Sequence, residues 1–527
     1  MAERDPEAHK AMTNRVERPS VFNVPAVQPP SLKKLEKIAE EMGFDVSDKD
    51  LEVYHANMLG ILPVYDVVNR LPEPQPELRY PRLPGYRPPQ EENTHNAWYY
   101  KTDIKGADSG PLAGKTIAIK DNVAVAGVPM MNGSKMLEGY MPEFDATVVT
   151  RFLDAGGRIL GKAANSDLLA DGTSYTCASG TMLNAIDKTR SAGGSSGGCG
   201  ILVALGEVDI GLSSDQGGSI RVPSAFNGVV GLKPTWGLVP YTGSMGMEPA
   251  LDHLGPITRT VHDCALCMEV IAGSDGLDFR QRRDYKVPKY TEALTGDLSG
   301  MKIGVVPEGF KDSEEDVEST VRQAAQALTS KGATVEDVNI PIHNDAWAVF
   351  AILVVEGTGQ NLFETGGIHY GYREFQPTSM IDFYKKTLAA RPNDLSPGLK
   401  LNSIFCSYIK EATGSKFYAK AMNLVRTVTQ AYDDALKQYD VLVMPTMRFK
   451  PPKLPSPDVP LKDYLTQSIN TSGNTGVFDA TGHPALSINA GFSEGLPVAM
   501  MIVGKHYDDA TVMKVAHAWE TIRDAKK

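Results

Sequence analysis

The chain has 527 residues, of which 22% are charged and 42% are apolar, and its formal net charge at pH 7 is -11. This acidic balance argues against a strongly basic face, so we expect neither nucleic acid nor an anionic membrane as a partner. Five cysteines in so long a chain are typical of reduced thiols rather than of a disulfide framework.

The first residues and the apolar runs predict where the protein resides. Residues 1–5 are charged and no apolar stretch follows them, which does not match a secretory signal. The longest apolar run, residues 346–355, is too short to span a bilayer. We therefore predict a cytoplasmic protein with no membrane partner.

One large domain with an N-terminal appendage is predicted, because no break in composition divides the chain into equal halves. Residues 1–30 are polar and proline-spotted, which predicts an extended arm. A helical region is predicted over 31–71, and a proline-rich linker over 72–92. The large domain is then predicted to cover 93–527.

Two helices are predicted in the appendage. Ser31 can cap the first, which Gly43 would end, and Ser47 can cap the second, which would reach Leu62. Both helices are amphipathic, and two such helices cannot form a core alone. They must pack on the main body or on a second copy of the chain, so we predict a homodimer or a higher homo-oligomer.

The body of the chain alternates short β-branched runs with helical patterns. Strands are predicted over 116–119, 158–160, 302–306 and 334–338, with helices between them. This alternation predicts an α/β fold, a sheet with helices on both faces.

Two glycine- and serine-rich turns stand out in this body. Residues 193–198 read Gly-Gly-Ser-Ser-Gly-Gly, and residues 215–221 read Asp-Gln-Gly-Gly-Ser-Ile-Arg. Glycine lets the backbone approach a ligand closely, and successive free N–H groups form a pocket for negative charge. A flexible linker is the alternative, but the segment 201–212 between the turns is apolar enough to be buried core.

A lysine ends an apolar run upstream of these turns. Residues 116–119 are predicted to form a buried strand, and Lys120 follows them directly. A surface lysine with its stem on the core would be the ordinary interpretation of this residue taken alone.

Lys120, Ser195 and Ser219, in these flanking sequences, resemble the amidase signature family of serine hydrolases. Further matching segments lie at 145–147, 231–235, 252–259, 482–485 and 495–498. Within that family the chain looks most like the broad-specificity amidases that act after nitrile hydratases. The resemblance implies a large mixed twisted sheet covered by helices, and a variable, substrate-facing region over 340–440.

Acyl transfer needs a nucleophile, a base and donors aimed at the developing oxyanion. Ser219 is the predicted nucleophile. No histidine lies in the three motifs, so we predict that a neutral, buried Lys120 is the base and that Ser195 relays the proton. The resemblance implies the same order, with a cis peptide bond between Gly194 and Ser195.

The predicted oxyanion hole consists of the backbone N–H groups of Gln216, Gly217, Gly218 and Ser219. Ala170, Thr173 and Asp215 are predicted to line the substrate pocket, although Asp215 could equally brace its own loop.

Three further side chains receive structural predictions. Arg221 is expected to neutralise Asp215, and Ser196 and His483 are expected to have structural roles. Cys264 and Cys267 are expected to be core thiols on one helix rather than metal ligands.

The sequence thus predicts an amidohydrolase that cleaves the C–N bond of small neutral amides through a Ser219 acyl-enzyme, without metal or organic cofactor. A carbamate ester hydrolase (urethanase) is the nearest chemical alternative. A glutamine-hydrolysing component of a tRNA amidotransferase is another, since it would share all three motifs. A scaffold without activity is the last alternative, which the intact Lys120, Ser195 and Ser219 disfavour.

Overall fold

The computed structural model describes residues 24–370, 372–456 and 458–525. Most of the arm predicted over 1–30 therefore lies outside the described residues. The chain divides into two compact units, Met1–Pro76 and Glu77–Lys527.

The first unit contains three helices, α1 (Leu32–Glu41), α2 (Asp48–Ile61) and α3 (Pro63–Arg70). Ser31 and Ser47 cap α1 and α2 as predicted, because each hydroxyl accepts the N–H of the residue three positions on. The third helix was not predicted. It begins at Pro63, whose missing N–H costs nothing at the first helical position.

The second unit is built on one sheet of eleven strands. In chain order the strands are β1 (Trp98–Lys105), β2 (Thr116–Lys120), β3 (Arg158–Ala163), β4 (Ile210–Asp215), β5 (Val230–Lys233), β6 (His253–Thr258), β7 (Lys302–Val305), β8 (Thr334–Asp337), β9 (Val441–Pro445), β10 (Ala485–Ser493) and β11 (Leu496–Gly504). Their order across the sheet is β1-β3-β2-β4-β6-β5-β10-β11-β9-β7-β8.

The sheet is mixed. Strands β3, β2 and β4 run parallel to one another, as do β9, β7 and β8. The central strands from β4 to β9 are joined by antiparallel pairings, and β1 is antiparallel to β3 at one edge. The predicted strands at 116, 158, 302 and 334 are therefore confirmed.

Twelve α-helices connect and cover these strands in the described part of the second unit. They are α4 (Thr147–Asp154), α5 (Gly197–Ala204), α6 (Arg221–Asn227), α7 (Val261–Ile271), α8 (Glu315–Ala327), α9 (His343–Thr358), α10 (Thr378–Ala390), α11 (Pro397–Thr413), α12 (Lys416–Leu436), α13 (Leu461–Ile469), α14 (Gly476–Thr481) and α15 (Asp509–Asp524).

Helices pack on both faces of the sheet. In β11, Val498 and Met500 belong to the main hydrophobic core, which helices α7, α8 and α15 also enter. Ala499, between them, points to the other face and joins Val222 and Phe226 of α6. Because side chains alternate across a strand, this arrangement confirms the predicted α/β fold.

Helix α9 continues into a π-helix, Gly359–Thr365, and is longer than the apolar run predicted from the sequence. The segment His343–Thr365 is 23 residues long and, alone among the described helices, apolar enough to cross a membrane by length and composition. Core helices of soluble proteins pass the same test. Phe350 and Leu353 of this helix are buried in the fold, which favours a core helix.

Candidate active site

Strand topology brings the three motifs to one edge of the sheet. Strands β2 and β4 are parallel neighbours, so their carboxyl ends, Lys120 and Asp215, lie at the same edge. Ligand sites of α/β sheets form at such edges. The glycine-rich turn at 193–196 leads into α5, and the turn at 216–220 leads into α6.

The amine of Lys120 is fully buried and is surrounded by oxygen atoms. Its Nζ lies 2.7 Å from Ser195 Oγ, 2.9 Å from Ser214 Oγ and 3.2 Å from the Ser214 carbonyl oxygen. The structure therefore joins Lys120 to Ser195, which lies 75 positions further along the chain. Ser214 was not singled out in the sequence, although it directly precedes the second turn.

Burial lowers the pKa of Lys120 to about 7, although the nearby Cys199, Asp215 and Asp252 favour the charged amine. The loss of hydration is the larger effect, since a buried ammonium ion is poorly solvated. A substantial fraction of the Lys120 side chain is consequently neutral near neutral pH.

Ser195 follows a cis peptide bond from Gly194, as the family resemblance implied. The Ser195 side chain is fully buried behind Gly194. The hydroxyl of Ser196 donates to the Ser214 carbonyl at 3.2 Å, a contact that braces the turn as predicted.

Ser219 faces a cavity of about 580 Å³, which Gly194 also lines. Its residue is 7% exposed, whereas Ser195 and Lys120 have no exposed surface. The three residues therefore pass from an open cavity into the protein interior in the order Ser219, Ser195, Lys120.

The cavity is lined mainly by apolar side chains from α9 and α11, both within the region 340–440. Those of the first helix are Trp347, Phe350, Ala351, Ile352, Val354 and Val355, and those of the second include Leu401 and Phe405. Ala170 also lines the cavity, where it was predicted.

Two predicted pocket residues lie elsewhere. Thr173 is 2% exposed and is held in its loop, where its N–H donates to Asp171 and its carbonyl accepts from Ser166. Asp215 is fully buried and paired with Arg221. Neither side chain is part of the described cavity wall, so these two assignments were wrong.

The predicted oxyanion donors are also reduced by one. The N–H of Gly218 donates to Asp215 Oδ1. This donor is therefore committed to a carboxylate, and the N–H groups of Gln216, Gly217 and Ser219 are the remaining members of the predicted set. All three residues lie in the cavity wall.

Arg221 lies at the centre of a buried ionic cluster. Its guanidinium donates two hydrogen bonds to Asp215, at 2.9 and 3.0 Å, and one to Asp479 at 2.6 Å. Burial opposes ionisation of Asp215, but Arg221 outweighs it and holds the pKa of this carboxyl well below its usual range. Burial and the neighbouring Asp215 raise the pKa of Asp479 well above its usual range.

Other buried partners were not found from the sequence. Lys162 of β3 pairs with Asp121 at 3.0 Å, and both side chains are fully buried. Thr475 donates its hydroxyl to the Gly217 carbonyl at 2.6 Å and thereby holds the second turn from α14. The only available signal was position: Asp121 directly follows Lys120, and Asp479 lies four residues before His483 in a matching segment.

His483 has a structural environment, as predicted. It is fully buried and contacts Thr481 Oγ1 and Asp433 Oδ1 at 2.9 and 3.2 Å. Burial lowers the pKa of His483 to about 4. Cys264 and Cys267 are buried in α7, as predicted for core thiols.

Similar proteins with known sequences support one family. A model of the family described as Amidase matches residues 88–513. An enantioselective amidase of Rhodococcus rhodochrous is 43% identical over 502 residues, which cover 93% of this chain and 95% of the relative. The A-type component of the glutamyl-tRNA(Gln) amidotransferase of Geobacillus thermodenitrificans is 39% identical over 432 residues, covering 80% and 86% respectively.

Solved structures agree with this family. A bacterial aryl acylamidase of the amidase signature enzymes superposes with a TM-score of 0.66 and 26% identity, over 78% of this chain and 83% of that one. The corresponding glutamyl-tRNA(Gln) amidotransferase component from Thermotoga maritima gives a TM-score of 0.67 and 29% identity, over 81% and 88%. With the family model spanning most of the second unit, the chain belongs to the amidase signature family of amide-hydrolysing enzymes.

Proposed function

We propose that this amidase hydrolyses neutral carboxylic amides through an acyl-enzyme on Ser219, with Ser195 as proton relay and Lys120 as base. The observation that carries the proposal is the 2.7 Å contact between Lys120 Nζ and Ser195 Oγ, directly behind the cavity that Ser219 faces. A serine hydroxyl needs a base to become an effective nucleophile.

The contacts of Lys120 suit a neutral amine. Ser214 Oγ donates its own hydrogen to Gln216 Oε1 at 3.3 Å, so its lone pairs accept from Lys120, and the Ser214 carbonyl can only accept. A neutral amine has two N–H groups, and these two acceptors use both. Its lone pair is then left for the hydroxyl hydrogen of Ser195.

In the proposed reaction, Ser195 passes the proton of Ser219 to Lys120 while Ser219 Oγ bonds to the amide carbon. The C–N bond then breaks, and the leaving nitrogen takes up that proton and departs as ammonia or an amine. Water attacks the acyl-enzyme by the same proton path and releases the acid. The N–H groups of Gln216, Gly217 and Ser219 are the proposed donors to the oxyanion.

The cavity favours amides with a bulky apolar acyl group. Its wall carries the aromatic residues Trp347, Phe350 and Phe405, and its volume of about 580 Å³ exceeds the need of a small amide such as acetamide. Apolar walls with few polar groups are typical of sites that bind largely apolar ligands. We therefore extend the proposal from small amides to arylalkyl and branched alkyl amides.

Glutamine hydrolysis within a tRNA amidotransferase is the weaker candidate. A bound glutamine carries two charges at its α-carbon, and the mainly apolar wall contributed by α9 and α11 offers them little. The matched relatives also differ in extent, because the enantioselective amidase match covers 93% of the chain and the amidotransferase match 80%. Carbamate esters would use the same groups as amides and stay an alternative substrate class.

A substrate panel tests the proposal. Ammonia or amine release is measured with phenylacetamide, acetamide, glutamine and an alkyl carbamate, using the wild-type chain alone. Ser219→Ala should lower kcat by about 10⁴-fold or more, as expected when a nucleophile is removed. Ser472→Ala, which alters another serine of the cavity wall, should change kcat only a few-fold. Equal rates for both variants, or a preference for glutamine, would reject the proposal.

A further inference from the structure

Asp433, His483 and His506 form a compact group, here called the Asp433 cluster. One potential ligand atom of each residue lies within 4.8 Å of the others. Asp433 Oδ1 is 3.2 Å from His483 Nε2 and 3.7 Å from His506 Nδ1. The two imidazole rings have centroids 4.0 Å apart.

The hydrogen bonds of His506 fix which of its ring nitrogens carries hydrogen. Nε2 lies 2.9 Å from the Thr481 carbonyl oxygen, which can only accept, so Nε2 is the N–H. In the neutral ring, Nδ1 is then a lone pair directed at the carboxylate of Asp433, 3.7 Å away. Two groups that can only accept thus face each other, and a cation between them would turn this repulsion into attraction.

His483 can take the same arrangement. Its Nδ1 lies 2.9 Å from the Thr481 hydroxyl, which can accept an N–H, and its Nε2 faces Asp433. Both imidazoles would then hold their outer N–H on Thr481 and turn a lone pair toward Asp433. Metal-bound histidines usually show this pattern, because the outer hydrogen bond fixes ring orientation and tautomer.

We propose that the Asp433 cluster binds one divalent transition-metal ion, with Zn²⁺ as the natural probe, through His483 Nε2, His506 Nδ1 and Asp433 Oδ1. Zinc binds nitrogen and carboxylate oxygen at about 2.0–2.2 Å, which places tetrahedral ligands about 3.3 Å apart. The 3.2 and 3.7 Å separations are close to this value, and small side-chain rotations bring the third pair together.

The site is reachable and has room for a water ligand. The side chains of His506 and Asp433 are 31% and 41% exposed, whereas His483 is buried. The ion would therefore enter from the His506 side, and water would complete its coordination. None of the three residues is part of the described wall of the amide-binding cavity, so the metal would have no direct contact with the acyl-transfer groups.

The bound ion would join three segments that are far apart in sequence. Asp433 lies in α12, His483 precedes β10, and His506 follows β11. The same α14 that leads to His483 carries Asp479, which supports Arg221. Binding to the folded state alone raises its stability, so the expected effect of the metal is structural.

Titration of the chelator-treated, full-length chain tests the site. Zn²⁺ should bind with a stoichiometry of one and raise Tm, and Co²⁺ should give a visible d–d band that Zn²⁺ abolishes. His506→Gln and Asp433→Asn alter partly exposed side chains and should fold, as circular dichroism will check. Each should weaken Zn²⁺ binding by about 100-fold or more, since losing even an outer-shell partner costs 10–100-fold.

His262→Gln is the matched control, because His262 is exposed and lies near one carboxylate, Asp263, at 3.9 Å. It should bind Zn²⁺ as the wild type does. All variants keep the buried cysteines, so zinc bound by thiols would survive in H506Q and D433N. Binding that persists in these two variants, or no stoichiometric binding by the wild type, would overturn the proposal.

Discussion

Lys120 combines complete burial with three oxygen neighbours and no carboxylate in direct contact, as its hydrogen bonds show. This environment makes the neutral amine accessible at ordinary pH, because burial lowers its pKa to about 7. The proposed base must be neutral to accept a proton. The pH dependence of the rate is therefore a direct consequence of this single residue.

We predict that kcat/KM rises with pH and then levels off. Below pH 7 the amine is mostly protonated, so the rate should increase about tenfold per pH unit, and it should be constant above about pH 8. The measurement is amide hydrolysis between pH 5.5 and 9 with a slow amide, so that chemistry limits the rate. A flat profile would contradict the role of Lys120.

Ala170 is the residue for a test of the cavity. Ala170→Phe places a ring in the cavity wall, so kcat/KM for phenylacetamide should fall about tenfold or more while that for acetamide changes little. Thr173→Val is the control, because the Thr173 side chain is not in the described cavity wall. Equal losses for both amides would show that the ring disturbs the catalytic groups instead.

At the residue scale, the sequence predicted the groups with an unusual local setting and missed their partners. Lys120, Ser195 and Ser219 stand out beside glycine pairs or at a strand end. Ser214 and Asp479 have ordinary flanks, and only the sheet pairing and the packing of α14 bring them into place. Asp215 was assigned to the pocket because the sequence shows that it is near Ser219 but not which way it points.

Helix α6 depends on the ionic cluster at its first residue, Arg221. Asp215 accepts from this guanidinium and also from the N–H groups of Gly218 and Ile220, on either side of Ser219. The cluster therefore fixes the turn that presents the proposed nucleophile.

We predict that Arg221→Met lowers the free energy of unfolding by about 3–5 kcal/mol, because it leaves buried Asp215 without its cation. The control, Arg158→Met, removes a half-exposed pair with Asp103 and should cost no more than about 1 kcal/mol. Urea unfolding measures both values. Equal stabilities would show that the cluster contributes nothing net.

Elements were predictable where period and punctuation agreed. The strand ending at Lys120 and the helix through 315–327 follow their sequence patterns. The contribution of α11 to the cavity was not predictable in detail, because its pocket residues are set by how the helix packs beside α9. Helix α3 was missed because Pro63 interrupts the pattern and also begins the new helix.

At the scale of the molecule, the first unit presents an apolar surface. Val64 and Val68, one turn apart on α3, are 57% and 64% exposed, and Tyr54 and Ile61 of α2 are also exposed. Apolar surface of this kind is typical of association sites. This supports the proposal that the protein is a homo-oligomer, most simply a dimer.

We predict that the double variant Val64→Glu, Val68→Glu lowers the molar mass in solution from that of the oligomer to that of the 57.0 kDa chain. Light scattering after size exclusion measures this mass. Lys33→Glu, Lys37→Glu on α1 is the control and should leave the oligomer intact. A wild type that is already monomeric, or a double variant of unchanged mass, would contradict the proposal.

The alternation of strands and helices was sufficient to predict the fold class, but not the strand order. The antiparallel centre, where β10 and β11 lie between β5 and β9, joins segments more than 40 residues apart. Such pairings depend on the register of distant segments, which local patterns do not contain.

The burial of Lys120 also separates chemical reactivity from reagent access. A neutral amine is the form that acylating labels such as succinimidyl esters attack, yet this one has no surface for a label to reach. Ser219, by contrast, faces an open cavity. Proteome-wide profiling of reactive lysines would therefore overlook this enzyme, whereas sulfonyl fluoride probes directed at serine would detect it.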